Sequence, residues 1–205
     1  MGFGRCVLYA VTVSLACLMA CQGQNSPKSI LPSDVCLRPG DIVFRRGMGL
    51  TSHTVIAVDR DGRYSHVGIV ADSCGTPVII HAVPGEPDFE GDVDRVKMTA
   101  PAEFFSSYHA DIGEICRLQD TLRAVRASVI ALQLYRRHIE FDHDYDDRDT
   151  TRMYCSELVV FALTRAGYDM SYIKHHEVML PILQVSCIFP SDIYALPFLK
   201  SIATF

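Results

Sequence analysis

Tyr64-Ser65-His66-Val67-Gly68-Ile69-Val70-Ala71, followed by Asp72-Ser73-Cys74-Gly75 and then Thr76-Pro77-Val78-Ile79-Ile80-His81-Ala82-Val83, is two apolar, β-branched runs joined by a turn-forming tetrad. That pattern reads as an antiparallel hairpin. With a symmetric turn Ala71 pairs with Thr76, and His66 falls directly opposite His81. Opposed side chains share one face of a sheet with Cβ atoms roughly 5 Å apart, so one imidazole is placed to orient the other. A bulge or slip in the pairing breaks this register.

A thiol complements the histidines further along the chain, in Tyr154-Cys155-Ser156-Glu157-Leu158-Val159. Ser156 to Arg165 reads as helix, with an apolar face through Leu158, Val159, Ala162 and Leu163 and Gly167 as its stop. Cys155 then sits at a helix N-terminus, where unpaired N–H groups and the macrodipole favour thiolate over thiol. A helix-start cysteine with a strand histidine meets the requirement for a nucleophile and a base.

Gly40-Asp41-Ile42-Val43-Phe44-Arg45, the Tyr-Ser-His-Val-Gly-Ile-Val run, Val78-Ile79-Ile80-His81-Ala82 and the Cys155 segment, in that order, resemble the circularly permuted YiiX-like branch of the papain-like NlpC/P60 superfamily. Phe189-Pro190-Ser191-Asp192-Ile193 resembles that family's closing segment. In unpermuted relatives the cysteine precedes the histidine; here it follows. The resemblance implies an α+β papain-like core of permuted topology, an antiparallel sheet packed with helices including the nucleophile helix. It also implies Cys155 as nucleophile, His66 as general base and His81 as third polar residue. Many YiiX-like members carry glutamate at that third position. The histidine here is similar to the His-His-Cys arrangement of lecithin retinol acyltransferase-like proteins, a departure that bears on substrate more than on mechanism.

The chain of 205 residues is 49% hydrophobic, enough for one sizeable core, and no repeat or composition break divides it. A formal charge of −5 without a basic stripe argues against nucleic acid as partner. Arg5 followed by the apolar stretch Cys6 to Ala20 reads as a secretory signal over residues 1–20, too short for a confident membrane span. Leu18-Met19-Ala20-Cys21 resembles a bacterial lipobox, which implies lipid on Cys21 and a protein anchored to the membrane of the cell envelope. An ordinary signal with a nearby cleavage site is the alternative. Residues 21–33 then form the lipidated cysteine and a polar tether with Pro27 and Pro32, and residues 34–205 the hydrolase domain.

Five further cysteines, Cys36, Cys74, Cys116, Cys155 and Cys187, are compatible with one reactive thiol and up to two bridges, or with none. Thr121 to Phe141 carries Leu122, Val125, Val129 and Leu132 on one side and is expected as a packing helix. Val93 to Met98 and Gly113 to Leu118 read as strands. Thr51 to Val58 has strand propensity, whereas the resemblance implies a short helix, which is the reading adopted. The acid-rich stretch Asp142 to Asp149 has the alternating acids of a calcium loop but fails at its key positions: Asp147 stands where glycine is required and Met153 where glutamate is. A solvated loop at the cleft rim is expected; the resemblance implies that this segment helps shape the substrate cleft, which makes Tyr145 and Asp146 candidates for substrate contacts. Tyr64 and Tyr154 are weaker candidates, each offering a hydroxyl near the oxyanion. His175-His176-Glu177 read as surface residues.

These residues together point to acyl transfer through a thioester, with His81 holding His66 and no metal or organic cofactor required. The resemblance implies an amide substrate, a cell-wall peptide or an N-acyl amide of lipid-like character. Charged anchors in the cleft would favour the first and an apolar pocket beside Cys155 the second. Two other readings remain, a catalytically inactive lipid- or peptide-binding module of the same fold, and zinc ligation by Cys155, His66 and His81.

Overall fold

The computed structural model describes residues 28–59, 62–146, 149–180 and 183–205. The signal, Cys21 and the first part of the tether lie outside the described residues. Six strands form one antiparallel sheet: β1 (Ile42–Arg46), β2 (His66–Ser73), β3 (Thr76–Val83), β4 (Arg95–Thr99), β5 (Ile112–Leu118) and, at the end of the chain, the strand Leu199–Thr204. Their spatial order is β4-β3-β2-β1-β5 and then that last strand. Helix α1 (Leu50–Val58) joins β1 to β2, so the helical reading of that segment holds against its strand propensity. The short α2 (Pro101–Phe104) follows β4.

Strand alternation gives the sheet two packed faces. Ile42, Phe44, Val67, Ile69 and Ile80 point to one side, where they meet α3 (Thr121–Arg136) and α4 (Cys155–Ala166) in the main core. Val43, Val70, Ile79 and Ile115 point to the other, where Phe104 and Phe105 cover them. Ile30 and Leu31 pack on this second cluster, and the Ile30 N–H donates to the Phe105 carbonyl at 2.8 Å. The part of the expected tether from Lys28 onward is thus docked on the domain. Its apolar Ile30 and Leu31 gain more from burial than from water.

α4 forms as its pattern predicts, with Leu158, Val159, Ala162 and Leu163 wholly buried and Gly167 as left-handed cap. α3 is rotated from expectation: Leu132 packs against the main core, but the other three expected residues do not. Ala124, Ala127, Ser128 and Ala131 face inward, while Leu122 is 84% exposed and Val125 and Val129 are largely exposed. Small side chains let a helix axis approach its neighbours closely, and against α4 and the sheet that close fit overrides the larger transfer energy of leucine and valine.

The hairpin is paired two residues away from the symmetric register. Ser73 pairs with Thr76 and Ile69 with Ile80, around a two-residue turn in which Cys74 and Gly75 both have positive φ, 54° and 83°. This is the turn whose twist suits a hairpin, and Gly at its second position relieves the strain. His81 therefore stands across from Gly68 and not from His66. Because the slip is even, both histidines still project from the same face.

After α4 come β6 (His176–Leu180) and β7 (Leu183–Cys187), a separate two-stranded sheet. A short α5 (Pro190–Tyr194) follows, and the final strand, β8 (Leu199–Thr204), closes the main sheet on β5.

Candidate active site

The direct cross-strand partners Arg45 with His66, and His81 with Lys97, set four basic side chains along one end of β1 to β4. The two histidines occupy the middle of this row. His66 Nε2 and His81 Nδ1 are 2.9 Å apart, and His81 Nε2 lies 2.8 Å from Thr99 Oγ1. The Phe104 ring packs edge-on to His81 and tilted against His66, with the Arg45 guanidinium 4.5 Å from its centre.

Both flanking cations are buried and matched by acids from the loop between β3 and β4. Arg45 pairs with Glu86 and donates to the Phe104 carbonyl at 2.9 Å. Lys97 Nζ lies 2.8 Å from Asp92 and 3.4 Å from Asp88. Burial holds both histidines well below the usual imidazole range, and the Arg45 charge adds to this; for His81, Lys97 acts in the same direction. The pair is neutral at rest.

Cys155 occupies the first position of α4, after the N-cap Tyr154. Burial pushes its thiol up, against hydrogen bonds from the Val67 backbone, the Ser156 hydroxyl and the Ser156 and Cys155 backbone. The expected thiolate preference of a helix start is present but outweighed. Desolvation of the charged form is the larger effect here, so thiol and imidazole face the site uncharged.

Cys155 stands where two lobes of one site meet. A cavity of about 240 Å³ contains His66 and Cys155 together with Arg45, Ser65, Glu86 and His109. A second, of about 130 Å³, also includes Cys155 and is walled by Val55, Val58, Val178, Val185 and Phe189. Helix α1 serves both lobes through Thr51 and Val55, with none of its residues buried. The hairpin β6–β7 forms the far wall of the apolar lobe.

The tyrosine candidates divide. Tyr145 and Tyr154 line both lobes; burial pushes the Tyr145 hydroxyl up to about 12, and the Tyr154 oxygen accepts from the Ile188 N–H at 2.9 Å. Tyr64 lines neither lobe. Its hydroxyl donates to the buried Glu114, on the face that packs with Phe44 and Tyr194. Strand alternation would put Tyr64 on the face of His66, but Tyr64 precedes β2 and is not bound by it. Asp146 also lines neither lobe, and its N–H donates to Asp142 at 2.6 Å. Asp142 itself is buried and also accepts from Asp144 N–H at 3.0 Å, so the acidic stretch is a loop built on one buried carboxylate rather than a wholly solvated one. His176, expected at the surface, is tied to Asp192 at 2.9 Å.

Arg45, Lys97, Thr99 and Glu86 are not among the residues that the sequence pattern singles out. The signal for the cations is a basic residue adjoining an apolar strand run, in Ile42-Val43-Phe44-Arg45 and Val96-Lys97-Met98; a charge there requires burial with a partner. None of the five cysteines among the described residues is in a disulfide.

The family model of permuted papain-like amidases, YaeF/YiiX of the C92 family, matches residues 36–184. The crystal structure of metalloprotein yiiX from Escherichia coli O157:H7 is similar with a TM-score of 0.64 at 17% identity, covering 82% of this chain and 97% of that one. At such identity the likeness speaks for the fold. No curated protein matches the sequence.

Proposed function

The chain belongs to the permuted papain-like amidase family, and on that premise we propose that it is a cysteine amidase that cleaves an N-acyl amide through a thioester on Cys155. The observation that carries this reading is the position of Cys155, shared by a polar lobe holding His66 and an apolar lobe lined by valines and Phe189. An acyl chain fits the second and the amine half of the substrate the first.

His66 Nδ1 has no hydrogen bond to another described residue, since Nε2 is taken by His81. This nitrogen accepts the Cys155 proton as sulfur attacks the amide carbonyl carbon. The negative oxygen is met by N–H groups at the start of α4, Cys155 among them, where the first intrahelical bond is from Leu158 to Tyr154. The C–N bond then breaks, His66 returns the proton to the departing amine, and water resolves the thioester to a carboxylic acid. His81 holds the ring of His66 throughout. With a neutral resting pair, proton removal and attack proceed together rather than from a preformed ion pair.

The apolar lobe beside Cys155, lined by valines and Phe189, favours an acyl amide over a wall peptide. Export and attachment through lipid on Cys21 would set the enzyme beside lipid-like substrates. The test is labelling with an electrophilic probe, followed by a hydrolysis screen of N-acyl amino acids and wall peptides. Selective modification at Cys155, absent in Cys155→Ala and strongly reduced in His66→Ala, is expected, with acyl amides cleaved in preference. Labelling spread evenly over the cysteines would leave the inactive binding module as the better reading.

A further inference from the structure

The histidine pair does not end at His81: its outer nitrogen meets Thr99 Oγ1 at 2.8 Å, on the edge strand β4. A neutral imidazole has one N–H and one lone pair, whereas a threonine hydroxyl both donates and accepts. Burial between Arg45 and Lys97 keeps both rings neutral, so the chain Thr99, His81, His66 has only two self-consistent directions. In one, Thr99 donates to His81 Nε2, His81 Nδ1–H donates to His66 Nε2, and His66 carries its proton on Nδ1. That form has no lone pair on Nδ1 and cannot take the proton of Cys155. In the other, His81 Nε2–H donates to Thr99, His66 Nε2–H donates to His81 Nδ1, and the lone pair is left on Nδ1.

We infer that Thr99 is a positioning residue that supports the working tautomer of His66, by serving as the terminal acceptor that this direction of the hydrogen-bonded chain from His66 through His81 requires. This deepens the proposed cysteine mechanism and rests on it. A carboxylate in the place of His81 would accept and end the chain by itself; a histidine cannot, because its second nitrogen needs a partner of the right sense. Thr99 supplies it. Lys97, two residues earlier on β4 and on the same face, disfavours the alternative of a protonated His81. The acceptor therefore serves a neutral ring and does not stabilise a cation.

Three measurements on the full chain decide the matter. Nitrogen-15 NMR of the histidine rings in the unsubstituted protein should find His66 protonated on Nε2; protonation on Nδ1 overturns the inference whatever the variants do. Thr99→Val keeps the β-branched shape and removes the hydroxyl. It should slow iodoacetamide alkylation of Cys155 at neutral pH by about tenfold and mix the His66 tautomers, whereas Thr99→Ser should retain both properties. Wild-type alkylation and an unchanged tautomer in Thr99→Val would also overturn it. A Cys155 that is unreactive in the parent protein would defeat the proposed function instead, while the NMR reading would still test the tautomer.

Discussion

Gly68 faces His81 across β2 and β3, and the missing side chain of the one gives room to the other. A Cβ on Gly68 would come within 3.2 Å of His81 Cβ, 2.8 Å of Ile79 Cγ2 and 3.1 Å of the Ile80 carbonyl oxygen. The imidazole can thus lean along the sheet to its diagonal neighbour His66. Gly68→Ala is expected to destabilise the fold by roughly 1–3 kcal/mol through overpacking and to lower Cys155 reactivity. Urea unfolding and probe labelling measure the two effects, and full reactivity with His81 displaced would break the proposed link between the rings.

Replacing His81 separates orientation from basicity. His81→Ala should lower turnover while the fold stays intact, because the nucleophile and base remain. His81→Glu should retain activity and raise the pKa of His66, since a carboxylate within about 4–6 Å favours the imidazolium. Alkylation of Cys155, which needs His66 unprotonated, should then fall off at higher pH in that variant than in the parent. A pH profile unchanged by His81→Glu would put His81 outside the working site.

The neutral histidines also make stability depend on pH. Both rings titrate well below the ordinary histidine value of 6.5 in the folded state, so on acidification the unfolded chain binds protons before the native one does. Stability should therefore be fully present above about pH 6.5 and fall below it, by up to about 1.4 kcal/mol per pH unit for each ring while the native ring stays neutral. Urea denaturation between about pH 7.5 and 5 measures the slope, above the range in which carboxylates ordinarily titrate. A His66→Phe, His81→Phe chain should lose most of that slope, and an equal slope would assign it to other groups.

Arg45 and Glu86 should behave as one coupled pair, its cation buried and its carboxylate half-buried. Arg45→Met removes the main partner of Glu86 and is expected to cost about 1–3 kcal/mol, whereas Arg45→Met with Glu86→Gln should recover part of it. Simple additivity in the four-way stability comparison would mean the pair is not coupled.

For the N-terminal segment, Cys21→Ala should move the protein out of the detergent-soluble membrane fraction. Cell fractionation with an immunoblot decides it, and unchanged membrane association would count against lipidation.

Elements whose pattern and tertiary environment agree are legible from sequence. Helix α4 is one, since Leu158, Val159, Ala162 and Leu163 repeat at helical spacing and are all buried. The shared face of His66 and His81 is another, although the symmetric register that predicts it does not form; parity survives an even slip. The turn is harder to read because the tetrad Asp72 to Gly75 offers more than one tight turn, and only the positive φ of both Cys74 and Gly75 selects the two-residue form. For α3, hydrophobicity points to Leu122 and Val125, but helix spacing is set by side-chain size as well, and the alanines win. Arg45 and Lys97 are invisible as a pair of site cations because their acids, Glu86 and Asp92, come from a loop that folds back over the sheet, a pairing that only the assembled chain reveals.

The small sheet β6–β7 shares no ladder with the main sheet, yet it supplies Val178 and Val185 to the apolar lobe. On the proposed reading, the reacting groups and part of the surface that would measure the acyl chain are consequently housed in separate pieces of framework. Lengthening or reshaping that hairpin can change which chain is accepted while the Arg45 to Lys97 row keeps its register, so selectivity in this architecture can drift without the chemistry having to be rebuilt.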